Sequence, residues 1–176
     1  LLPGCGIQLL LPEAYFAACR EADLQIRPAS LRAASYYLSH TLDIASKDLH
    51  ASIGRFSEQP ESGRVDEYRI GFSLGQTNEV IYGVVWPLYG PEEANEEIVS
   101  RASDSDAASA EPETPLEQIL GLLRECGIDD IQRHAELFAM EFCDDCGTPL
   151  YPDREGDLVH PEMPDDTPPG GSAHFH

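Results

Sequence analysis

The chain has 176 residues, enough for one domain with a real core, and 41% of them are hydrophobic, as in a soluble globular protein. Against 32 carboxylates stand only 11 Lys and Arg, a net charge of -21, which excludes a phosphate-neutralising surface and with it nucleic acid or anionic membrane as partners. No apolar run approaches the ~20 residues of a membrane span, and any protein partner drawn by so much negative charge would be a basic one.

The opening LLPGCGIQLLL has neither the basic start nor the small-residue cleavage site of a signal peptide, and no Met begins it, so a fragment or processed product is expected. Cys5 to Leu11 reads as a short buried strand stopped by Pro12, followed by a short helix over Glu13 to Asp23. A second helix is expected from Pro28, a residue suited to a first helical turn, because Leu31, Ala34, Leu38, Leu42, Ala45 and Leu49 recur at steps of three and four.

The period then changes. Ala51 to Phe56, Val65 to Leu74 and Glu79 to Leu88 alternate or run apolar with β-branched and aromatic residues, and predict three sequential antiparallel strands. Gly75 to Asn78 joins the last two as a tight connection. From Pro91 to Glu113 the composition falls to Glu, Ala, Ser and Asp, an acidic linker. Thr114-Pro115-Leu116-Glu117 is then a capping box that opens a helix striped by Ile119, Leu120 and Leu123, with Gly127 as its stop. Ile131 to Phe142 reads as a further strand.

Cys143-Asp144-Asp145-Cys146-Gly147 follows that strand. Two thiolates separated by two residues can close on one ion, and the Gly after the second Cys suits the positive φ of the turn. The stretch from Pro149 to His160 reads as a hairpin, half of a zinc ribbon without its second Cys-x-x-Cys. His174 and His176 lie two apart, so in an extended segment both can face one ion. The expected ligands for zinc are therefore Cys143, Cys146, His174 and His176, with His160 in reserve for one tail histidine. Asp144 and Asp145 read as solvated.

Other roles for these residues fit less well. A redox Cys-x-x-Cys should open a helix, and here Gly-Thr-Pro follows. His134-Ala135-Glu136 ahead of Cys143 echoes the zinc deaminases, but Glu136 and Cys143 stand too close together and Phe142 replaces the required Pro. His40, His50 and His134 read as ordinary surface or core residues. Cys5, Cys19 and Cys126 read as buried hydrophobes, and the odd total of five cysteines points to a reducing, cytoplasmic setting.

DEYRIGF (66–72), VIYGVVWPLYG (80–90), DIQRH (130–134), CDDCGTPLYP (143–152) and the terminal HFH together resemble an uncharacterised bacterial protein family, a domain of unknown function. The resemblance implies that this is the C-terminal part of longer members and that the His-x-His is native rather than a tag. It brings no activity and no catalytic residue. The knuckle separately resembles zinc-ribbon and rubredoxin-type turns.

The expected fold is α+β: an antiparallel sheet of about four strands packed by two or three helices, with a C-terminal zinc-ribbon-like hairpin. Residues 1–90 form the first part of the core, 91–113 the linker, 114–142 the helix and strand that complete the core, and 143–176 the knuckle hairpin and tail. The leading functional expectation is a non-enzymatic protein whose zinc fixes hairpin and tail. Two alternatives are a zinc hydrolase with an open metal position and a module that docks a basic partner.

Overall fold

The computed structural model describes residues 11–93 and 113–164. The strand expected at 5–11 and the linker at 91–113 fall almost wholly outside these residues. Among them, helix α1 spans Pro12–Thr41, strands β1, β2 and β3 span Leu49–Ser57, Glu67–Leu74 and Val80–Pro87, helix α2 spans Pro115–Glu125 and strand β4 spans Asp130–Ala139. Two short strands follow, β5 (Tyr151–Pro152) and β6 (Leu158–Val159). The class is α+β, as the sequence predicts.

The four long strands form one sheet in the order β3-β2-β1-β4. The meander β1-β2-β3 is antiparallel throughout, but β4 lies parallel to β1, so the sheet is mixed rather than wholly antiparallel. The stretch containing α2 separates β3 from β4 in sequence, and so long a connection leaves the last strand free to take either direction.

Two α-helices are expected before β1, and the described residues there form one. The residues between Leu24 and Pro28 include good helix formers and no breaker, and the chain continues through Pro28 at the loss of one backbone hydrogen bond. The buried residues of α1, among them Leu31, Ala34, Ser35 and Leu38, all lie in its second half, while the first half is held by Asp23, which accepts from the Tyr89 hydroxyl at 3.1 Å. In the first half Tyr15 and Phe16 are exposed. No helix among the described residues is long and apolar enough to cross a membrane.

Strand alternation divides the sheet into two unlike faces. One carries Leu49, Ala51, Ile53, Tyr68, Ile70, Phe72, Val84 and Trp86, and these pack with Leu31 and Leu38 of α1 and Ile119 and Leu123 of α2 in a single apolar core. The other carries His50, Ser52, Gly54, Arg69, Gly71, Ser73 and Gly83. Apart from Phe56, which shares this face at one end, these residues are small or polar, yet His50, Ser52, Arg69 and Ser73 are all buried. The covering layer includes the C-terminal segment, whose β5 packs against β1, β2 and β3.

The seat for that segment is made of glycine. Gly71 and Gly83 are cross-strand partners. A Cβ on Gly83 would clash with the Tyr151 ring, and one on Gly71 would come within 2.8 Å of the Pro152 carbonyl oxygen. Tyr151 is 5% exposed in this seat, and burial pushes its hydroxyl pKa up to about 12. Side chains of β4 hold the hairpin turn. Gln132 Nε2 donates to the Arg154 carbonyl at 2.6 Å, and His134 Nε2 lies 2.9 Å from the Asp153 carbonyl. Arg154 in turn donates to Asp130 Oδ2 at 2.6 Å and to the Gly75 carbonyl.

Candidate metal centre

After β4 the chain leaves the sheet and doubles back on itself. Phe142 and Pro149 form a bridge, Leu150 N donates to the Glu141 carbonyl at 3.1 Å, and Cys143 N donates to the Thr148 carbonyl at 2.8 Å. The Cys-x-x-Cys turn is the tip of this loop. Gly147 N closes it on the Cys143 carbonyl at 2.8 Å, with Gly147 at φ 73, the positive value that favours glycine at this position.

The β5–β6 hairpin then returns the chain to the knuckle. Its turn is tied by one atom: Asp153 Oδ1 accepts from the backbone N–H groups of Glu155, Gly156 and Asp157 at 2.8–2.9 Å. Beyond β6, Glu162 N donates to the Val80 carbonyl at 2.9 Å and binds the outgoing chain to β3. His160 stands between these two anchors.

The result is a group of Cys143, Cys146 and His160 whose candidate ligand atoms all lie within 4.8 Å of one another. His160 Nε2 is 3.2 Å from Cys146 Sγ. The edges of a zinc tetrahedron, from Zn–S of about 2.3 Å and Zn–N of about 2.0–2.1 Å, are roughly 3.5–3.8 Å. The three donors are close enough together to be offered to one ion.

The electrostatics favour a thiolate. The Cys146 pKa is drawn down to about 6, first by the Thr148 hydroxyl 3.1 Å from its sulfur, then by the Thr148 backbone N–H and by His160. On the far side of the imidazole, His160 Nδ1 is buried and, among the described residues, has no hydrogen-bond partner; Glu162 Oε1 is 3.8 Å away. Among the described residues, Cys19, Cys126, Cys143 and Cys146 form no disulfide.

The structure thus brings the two cysteines together with the reserve histidine. His174 and His176 lie outside the described residues. His134 faces the hairpin turn rather than the sulfurs, His50 is buried in the sheet and His40 is exposed. Asp144 and Asp145 are exposed, as expected. Two of the spare cysteines differ from expectation: Cys19 is exposed on the first half of α1, and Cys126 is half-buried at the C-cap of α2. Cys5 is outside the described residues.

A family model described as "Protein of unknown function (DUF2863)" matches residues 1–175. The chain belongs to that family. The DUF2863 match spans the sheet, the knuckle and His174 but stops one residue short of His176, and it assigns none of them a role. No curated protein and no solved structure matches this DUF2863 chain.

One residue of the DUF2863 site has no signal in the sequence. Arg69 is fully buried on β2 and donates through Nη1 to the carbonyls of Glu141, at 2.6 Å, and Leu150, at 2.9 Å. These are the two residues where the arms of the knuckle cross. In sequence it is one polar residue in an alternating strand, indistinguishable from a solvated one.

Proposed function

We propose that this protein carries a structural zinc ion, held by Cys143, Cys146 and His160 and completed by His174 or His176, which fixes the C-terminal hairpin and tail to the sheet. The observation that carries the reading is the convergence of His160 on the two cysteines from across the hairpin. Two sulfurs with imidazole nitrogens suit zinc better than harder cations. A cytoplasmic setting keeps such thiols reduced. Ion binding at such a site supplies folding free energy, on the order of 10 kcal/mol in small zinc modules. The role is therefore architectural, without chemistry of its own.

A second reading has one observation in its favour. His160 lines a cleft of ≈ 560 Å³ together with Glu79, Glu162 and Met163. An ion bound by three protein ligands keeps a position for water, and in that case the cleft would admit a substrate to a hydrolytic centre.

Elemental analysis of the untagged protein, beside Cys143→Ser and a His174→Ala/His176→Ala double variant, separates these readings. One equivalent of zinc, lost in both variants, with hydrogen exchange faster after Phe142 and unchanged in the sheet, is the expected outcome. Zinc retained by the histidine variant would favour the open centre. A metal-free wild type, or a Cys143→Ser protein whose sheet unfolds, would end the structural reading.

A further inference from the structure

We infer that Arg69 is the positioning residue of the metal centre, presetting the two arms of the knuckle so that metal affinity, and not stability alone, depends on it. This rests on the metal reading above. Five contacts converge on the one guanidinium. Nε donates to Glu67 Oε1 at 2.6 Å, and Nη1 donates to both the Glu141 and Leu150 carbonyls. The Phe56 ring centroid lies 4.3 Å from Cζ and that of Phe142 lies 5.0 Å from it, so Arg69 also bridges an aromatic ring of the sheet and one of the knuckle.

The placement is specific. Glu141 lies just ahead of Cys143 and Leu150 just beyond the turn that holds Cys146, so Nη1 grips both strands of the loop at its base. A cation that donates to both arms holds their carbonyl oxygens together, which keeps the sulfurs on the same side before any ion arrives. Pure stability is a poor reason for this residue. Among the described residues Nη2 is buried without a hydrogen-bond partner, and a buried guanidinium incompletely satisfied is a net cost that an apolar side chain would avoid. What an apolar residue cannot supply is the pair of directed bonds.

Lysine keeps the charge but not the fork, and cannot reach Glu67 and both carbonyls at once. Groups that orient metal ligands cost about 10- to 100-fold in affinity when removed. Cobalt(II), which reports a tetrahedral thiolate site by its visible absorption, is the probe. The single tryptophan, Trp86, is buried in the core on the opposite face and reports the fold by its emission.

Cobalt titration of wild type, Arg69→Lys and Glu67→Gln is expected to show affinity weaker by about 10- to 100-fold in the first variant. A smaller loss in the second and unchanged Trp86 emission in both complete the expected result. Glu67 bonds Arg69 through its carboxylate, so Glu67→Gln decides the matter if Arg69→Lys fails to fold. Wild-type cobalt affinity and spectrum in folded variants would overturn the role of Arg69 alone, even if their melting temperatures fell. A wild type that gives no thiolate spectrum would overturn the metal reading and this inference with it.

Discussion

Gly83 shows how little space separates the sheet from the layer above it. The Tyr151 ring rests directly on its backbone, so Gly83→Ala must push the ring out of its seat. Overpacking of this kind costs about 1–3 kcal/mol. The expected result is a lower urea midpoint together with faster exchange in the β5–β6 hairpin; unchanged exchange there would mean that the hairpin is not held by this contact. Residue-scale legibility followed sequence distance. Cys143 and Cys146 were readable because a turn of two residues brings them together without help. His160 ranked behind the tail histidines because alternation argues for His174 and His176 locally, whereas the return of His160 depends on Asp153 closing a turn and on Val80 anchoring Glu162. Arg69 was unreadable, since the burial of its face is decided by a segment some seventy positions further on.

At the scale of elements, α2 is the one whose ends were both legible. Thr114 Oγ1 accepts from Glu117 N at 3.2 Å while Glu117 Oε2 accepts from Thr114 N at 2.9 Å. At the other end Gly127, at φ 80, donates to the Arg124 carbonyl and Ile128 to that of Leu123, the paired bonds of a left-handed stop. Caps are built from neighbours, and so they are written in neighbouring letters. Thr114→Ala is expected to lower stability by about 1 kcal/mol, read as a fall in melting temperature with the sheet otherwise unchanged. No fall would show that the packing of Ile119 and Leu123 alone sets the helix end. The direction of β4 and the continuity of α1 were not legible. The first depends on where a long connection returns, and the second on whether the anchoring of one half outweighs a single lost hydrogen bond at Pro28.

For the molecule as a whole, the net charge of -21 is a standing repulsion that folding concentrates. Salt screens it, so the melting temperature should rise between low and physiological ionic strength. A gain on the order of 1 kcal/mol corresponds to about 2–4 °C for a chain of this size. A flat or falling response would mean that the ion pairs, such as Arg27 with Glu92, outweigh the repulsion. The two-faced sheet has a further consequence, in the order of synthesis. The meander β1-β2-β3 pairs locally and is complete while the rest of the chain is still being made. Until residues 141–163 emerge, the glycine seat and Arg69 lack the hairpin and knuckle that occupy them in the finished fold. That later piece both covers the face and brings Cys143, Cys146 and His160 together, so capture of an ion would mark a chain made at least that far, and one truncated before residue 141 would carry an open polar face for quality control to find.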